Sequence, residues 1–216
     1  MSDIFDLRVE RPGIRLQRLE LFNWGTFDSP AGEVYVASPN GRTTLLVGRN
    51  GAGKSTLVDA ILTLLVPSPI RNYNVAAGAR KKERTERTYV MGACDQQIDN
   101  EQSQVTKRYL RKGSSFYSVV LAHFHDEHTG SGFTLSQILY PKGDGSIDHV
   151  HAFAEGDKSI AADLAGLTKS DGLLASLKSR GFRVTRTFSE YHKWFLLNLE
   201  CFPAGRQAQN IPGLVE

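Results

Sequence analysis

The stretch LLVGRNGAGKSTLVDAILTLLVP, residues 45–67, constrains this chain more than any other part of it. Gly48, four intervening residues and then Gly53-Lys54-Ser55 satisfy every fixed position of G-x-x-x-x-G-K-[ST], the Walker A phosphate-binding pattern. The flanks agree with the motif. Thr43 to Val47 is a short, apolar, β-branched run that predicts a buried strand. Leu57, Ala60, Ile61, Leu64 and Leu65 recur at helical spacing, and Pro67 ends the pattern. A chance glycine turn would not be expected to bring a matching strand and helix with it.

The chemistry follows residue by residue. Glycines at 48, 51 and 53 let the backbone turn tightly and approach a phosphate without a Cβ in the way. Successive amides of Asn50, Gly51, Ala52 and Gly53 then form an anion nest at the positive end of the following helix, with Thr56 also on the phosphate side. Lys54 is placed to reach the β- and γ-phosphates, and the Ser55 hydroxyl to ligate Mg²⁺. ATP with Mg²⁺ is the expected ligand.

Other classes are narrowed by what surrounds the loop. No apolar run approaches the roughly 20 residues of a spanning helix, and the charged N-terminus MSDIFDLRVERPG has no signal-peptide core. Cys94 and Cys201 stand far apart without metal-ligand spacing, so a cytoplasmic chain without disulfides and without a membrane is expected. His123, His125 and His128 at a strand end read as solvated rather than metal-bound. The net charge of +3 names no partner, but its distribution says more. Residues 71–93 carry six basic side chains (Arg71, Arg80, Lys81, Lys82, Arg84, Arg87) against two acidic ones. Such a run is either a solvated face or a contact to nucleic-acid phosphates, the latter through Arg80, Lys81, Lys82, Arg84 and Arg87.

Along the chain, a strand is predicted from Leu16 to Phe22, then a turn at Asn23-Trp24-Gly25, a continuation through Thr26-Phe27, and a second strand in GEVYVAS. Pro39-Asn40-Gly41 is a tight turn into the loop strand. SSFYSVVLAHFHD, GFTLSQILY and IDHVHAFAE alternate as short strands joined by glycine-rich turns, an antiparallel β subdomain over about 115–155. Ile160 to Leu177 is predicted helical. An antiparallel element beside a P-loop is unlike a compact nucleotide kinase, whose strands and helices alternate around a parallel sheet.

LQRLELFNWGTF, the Walker stretch and NYNVAAGARKKERTERTYVMGA together resemble the N-terminal head of SMC-like ATPases of the MukB/MksB/JetC group, and most of all the motor subunit of the Wadjet plasmid-defence system. The resemblance covers about residues 14–150 and implies an α/β P-loop NTPase of ABC/SMC head type, with 1–216 as its N-terminal portion. It further implies a condensin-like motor on DNA, in plasmid defence or chromosome organisation. In such proteins two heads sandwich ATP, each site combining one head's Walker A with the other's signature motif. Kleisin and winged-helix subunits, a second SMC head and a toprim-type nuclease are the implied partners, with DNA held by its backbone irrespective of sequence.

The departure from the family is large. No signature motif appears, nor a convincing Walker B strand; in the family both lie beyond a coiled coil, on the C-terminal head half. Asp126-Glu127 ends an apolar strand, but that strand alternates and reads as an outer antiparallel one. Glu200 in WFLLNLE lacks a preceding aspartate, and that stretch reads as a buried helix or strand. The tail CFPAGRQAQNIPGLVE has Pro and Gly where a long helix would begin, so the chain reads as a fragment or a truncated frame. No catalytic residue is therefore assigned, and hydrolysis is expected only on completion by the missing half. Gln137 is either a Q-loop ligand of Mg²⁺ or an exposed strand glutamine, and Trp24 and Phe27 either stack on adenine or pack in the core. The competing functions are a nucleotide-dependent regulatory or interaction domain without motor activity, and a small P-loop kinase.

Overall fold

A computed structural model describes residues 13–73, 84–99, 104–167 and 172–200. Its spine is a six-stranded sheet in the order β2-β1-β5-β6-β7-β8, antiparallel at every pairing. The strands are β1 (Arg15–Phe22), β2 (Tyr35–Ala37), β5 (Ser118–His125), β6 (Gly132–Pro141), β7 (Ile147–Glu155) and β8 (Arg183–Thr185). A separate hairpin pairs β3 (Ala93–Asp99) with β4 (Gln104–Tyr109). The helices are α1 (Lys54–Leu65), α2 (Glu86–Met91), α3 (Leu173–Ser179) and α4 (Phe188–Glu200), with a π-helical turn at Ile160–Leu164. The fold is α/β, with every described strand pairing antiparallel.

Alternation along the strands feeds two cores. Leu19, Leu21, Val120, Ala122, Leu135, Leu139 and Phe153 face one side, where Leu57, Ala60 and Leu64 of α1, Tyr89 of α2 and Tyr191 of α4 cover them. Val119, Leu121, Ile138, Val150 and Ala152 face the other, beneath Ile160, Leu164, Leu173 and Leu177. β5 is thus buried on both faces and lies between β1 and β6, a central strand and not the outer one that its alternation predicted. Alternation reads as half-exposed only when one face is polar, and here the second face (Val119, Leu121) is apolar too. The predicted helix from Ile160 to Leu177 is divided between the π-helical turn and α3, with 168–171 outside the described residues.

Local signals set the helix ends. Thr85 and Thr88 exchange side-chain-to-backbone hydrogen bonds in a capping box that starts α2, and Gly92 at φ 69° closes it. α1 stops where Val66 turns extended ahead of Pro67. None of the described helices is long and apolar enough to cross a membrane.

The expected strand before the phosphate loop also fails to appear. Thr43–Val47 forms no strand with any described neighbour, and Leu45 and Val47 are 82% and 79% exposed. Its sequence is that of an interior strand, but the sheet runs between the edges β2 and β8 without it.

Candidate nucleotide-binding site

The site begins at the end of β1. Asn23 adopts φ 52°, a left-handed turn that Asn tolerates. Its side chain holds the turn: the amide Nδ2 donates to Tyr117 O at 3.1 Å, and Oδ1 accepts from Ser29 N at 3.2 Å. The chain then doubles back, with Trp24 and Phe27 bridged through their backbones. Trp24 is fully buried, stacked on Tyr89 at 4.9 Å, and its indole N–H donates to Thr56 O at 3.3 Å. A Cβ added to Gly25 would lie 2.6 Å from Thr56 Cγ2. The FNWGTF turn is therefore a bracket for the first turn of α1. Trp24 is not available to a base; Phe27 is half-buried and lies 4.2 Å, centroid to centroid, from the Tyr35 ring.

Gly53 is the N-cap of α1 at φ 87°, and a Cβ there would meet Phe27 Cζ at 2.6 Å. Both facts demand glycine, one from the backbone and one from the neighbour. No side chain caps the helix at this residue and no acidic residue occupies its first turn, so the leading amides of α1 keep the donors that an anion would take. Within the loop Ala52 N donates to Arg49 O at 3.2 Å, and the Lys54 ammonium donates to Gly48 O at 2.7 Å and Arg49 O at 2.9 Å. Lys54 thus lies over the loop itself. Ser55 and Thr56 follow in the first turn, half-buried. Gly48, Asn50, Gly51, Ala52, Gly53, Lys54, Ser55 and Thr56 form one contiguous loop and first helical turn. The donor set fits a polyphosphate: backbone N–H groups, one ammonium and a hydroxyl suited to Mg²⁺.

Gln137 stands elsewhere. It is fully buried on β6, and its Nε2 donates to Thr63 O at 2.7 Å. Thr63 is eight residues past Ser55 in α1, about 12 Å along the axis. Both readings of it are corrected accordingly: this amide is neither at Ser55 nor exposed, but buried and tied to the far end of the P-loop helix.

Asp126 and Glu127 are also distant. β5 starts at Ser118, whose hydroxyl donates to Asn23 O at 2.5 Å beside the bracket, and ends at His125 opposite Arg15. The two carboxylates therefore lie roughly 25 Å along the sheet from the bracket. Asp126 is spent on its hairpin, Oδ1 accepting from His128 N at 2.9 Å. His123 is buried, not solvated as predicted, and its Nδ1 meets Thr134 Oγ1 at 3.3 Å. Among the described residues no group of three His, Cys, Asp or Glu side chains could hold a metal ion.

Of the basic segment, Arg80, Lys81 and Lys82 lie outside the described residues. Arg84 and Arg87 form no free basic row. Arg84 Nη1 is 3.7 Å from Oδ2 of the buried Asp59, and Arg87 Nη1 donates to Gly145 O. Arg71, counted with this segment, is an internal residue. Its guanidinium donates to Thr63 O at 3.0 Å, to Val66 O at 2.8 Å, to Tyr73 OH at 3.0 Å and to Glu86 Oε1 at 2.6 Å. It caps the carbonyls at the C-terminus of α1 and clasps α2 to it.

Sequence reasoning missed Arg71, Asp59 and Arg111. Asp59 accepts the Tyr89 hydroxyl, whose pKa is pushed far up by burial and then by this hydrogen bond. Arg111 donates to Val90 O and Gly25 O, both at 2.8 Å, and pairs with Asp28 at 2.6 Å, tying α2 to the bracket. One signal was present: Asp59 and Thr63 are a polar i, i+4 pair within the otherwise apolar stretch from Leu57 to Leu65 of α1.

A family model for the P-loop containing region of an AAA domain matches residues 16–80. That span covers β1 from Leu16 onward, the bracket, the loop, α1 and the Arg71 cap, so residues 16–80 are a P-loop NTPase segment, and such segments bind nucleotide, generally with Mg²⁺. Comparison with curated proteins gives no match.

Proposed function

We propose that this chain is the N-terminal part of an SMC-type ATPase head, one half of a composite nucleotide site in a DNA-handling motor. The observation that carries the reading is Thr43–Val47, an apolar run that leads directly into the phosphate loop with Leu45 and Val47 on the surface. A run apolar on both sides belongs in a parallel sheet with both faces covered, and an exposed one is a docking surface. The occupant is the C-terminal head half, which the resemblance implies carries the missing Walker B strand and signature motif.

The division of labour follows. Loop amides and Lys54 hold the phosphates, and Ser55 holds Mg²⁺. The carboxylate that orients the attacking water comes from the other half, since Asp126 and Glu127 stand at the far end of β5. Tyr35, 40% exposed beside Phe27, is the aromatic surface left for the base once Trp24 is committed to the core. DNA contact falls to Arg80, Lys81 and Lys82, with Arg84 and Arg87 anchoring the segment. Those contacts are to phosphates, because a motor on arbitrary sequence cannot depend on base edges. Kleisin and winged-helix subunits and a toprim-type nuclease complete the assembly that the resemblance implies. A kinase reading is disfavoured by the antiparallel sheet.

Complementation tests the reading. The chain alone turns over ATP at background, and a segment carrying an SMC-type Walker B strand and signature motif raises the rate. The double substitution Leu45→Asp, Val47→Asp blocks that gain while circular dichroism stays unchanged, because the replaced side chains are on the surface. Robust turnover by the chain alone, lost on Lys54→Ala, would mean that a catalytic carboxylate lies within it and would overturn the proposal.

A further inference from the structure

Three buried polar atoms on one side of the sheet have no hydrogen-bond partner among the described residues: Gln137 Oε1, His151 Nδ1 and the Tyr191 hydroxyl. All three side chains are nearly inaccessible, at 0%, 4% and 1% exposure. Stranded separately, each would cost about 1–3 kcal/mol of desolvation. They are not separate. Gln137 and His151 are directly opposed partners of β6 and β7, a register that brings their Cβ atoms to about 5 Å on a shared face. The Tyr191 ring on α4 lies 5.1 Å from the His151 ring. By contrast Ser136, also unpartnered, is the next residue along β6 and points to the opposite face.

We infer that Gln137, His151 and Tyr191 enclose a binding site for a single structural water molecule, which joins β6, β7 and α4. The chemistry of the set selects the ligand. The Gln137 amide cannot be reversed, because its Nε2 donates to Thr63 O; Oε1 therefore faces the site as an acceptor only. An acceptor at that position repels an anion. No net charge is selected at the site, because the Arg71 guanidinium and the Glu86 carboxylate, paired at 2.6 Å, act on His151 with opposite signs. A neutral molecule that both donates and accepts is required. Water can donate to Gln137 Oε1 and to His151 Nδ1 and accept from the tyrosine hydroxyl, the three bonds usual for a buried water. The imidazole is available in neutral form, since burial holds its pKa at about 4.

The site continues a polar path already present. From Thr63 one arm runs through Gln137 to His151 and Tyr191. The other runs through Tyr73, Arg71 and Glu86 to His149, the last contact being 3.0 Å. The water thus links the far end of the P-loop helix α1 to α4 through the sheet.

The sign of one substitution decides the matter. Tyr191→Phe removes only an oxygen. If that oxygen holds a water, thermal unfolding of the full chain, followed by circular dichroism, shifts down by about 2–4 °C, the equivalent of one lost hydrogen bond in a chain of this size. If the hydroxyl is dry and unpaired, its removal leaves the midpoint unchanged or raises it, and the inference is wrong. His151→Phe should also lower the midpoint, and the double variant should lose less than the two losses combined, because both side chains serve the same water. Additive losses would equally overturn a shared site. A crystal structure of the chain supplies the direct readout: one ordered oxygen at about 2.7–3.2 Å from all three atoms is expected, and a dry gap or direct side-chain contact refutes it.

Discussion

At the scale of single residues, the phosphate loop is built from groups that the fold has left free for a ligand. Among the described residues Lys54 hydrogen-bonds only to loop carbonyls, and it lies outside both cores, so Lys54→Ala is expected to abolish ATP binding by titration calorimetry while leaving the unfolding midpoint close to that of the parent. Unchanged affinity would remove the lysine from the site. Gly53 behaves in the opposite way, since it serves fold and ligand together. Its left-handed φ and the Phe27 ring at 2.6 Å from any added Cβ mean that Gly53→Ala disturbs the bracket and the loop at once. These residues were legible in the sequence because a phosphate cradle needs particular residue types at fixed spacing. The partners that brace it were not. Nothing in a linear pattern says that Trp24 donates to Thr56, or that Arg111 reaches back to Asp28.

At the scale of elements, α1 is held at both ends by other parts of the chain: the FNWGTF turn at its start and Arg71 at its finish. Arg71→Ala strips the cap from the last carbonyls of α1 and leaves Glu86 without its guanidinium partner. Breaking a buried pair from one side costs about 3–5 kcal/mol, which in a chain of this size is roughly 10 °C of unfolding midpoint by circular dichroism. Arg71→Lys should fall between, keeping a charge but losing the planar fork that serves several acceptors together. A loss no larger than that of an exposed arginine would show the cap to be dispensable. Read as sequence, Arg71 has no special standing among its basic neighbours, because charge alone does not distinguish a solvated side chain from one that ends a helix.

At the scale of the whole molecule, buried histidines make the fold sensitive to acid. Burial lowers the pKa of His123, His151 and His192, with His151 at about 4 against an unfolded value near 6.5. Between those values the unfolded chain binds protons that the folded chain refuses, so stability is complete above about pH 6.5 and is lost as pH falls toward 4. Glu86, held below the usual carboxylate range by His149 and Arg71 against the opposing effect of burial, extends the loss at lower pH. Urea midpoints measured from pH 7.5 to 4.5 should fall steadily, and His151→Phe should flatten that slope; a slope unchanged in the variant would place the titration elsewhere. What the sequence determined by itself was local: the phosphate loop, the ends of α1, and the alternating strands of β5 to β7 with their turns, because spacing and turn chemistry act over a few residues. What only the tertiary structure decided was which faces are covered. It made β5 central, drew Gln137 away from Ser55 to Thr63, turned Arg71 inward and left Leu45 and Val47 outside, because burial depends on neighbours far along the chain and is not carried by the residues that become buried.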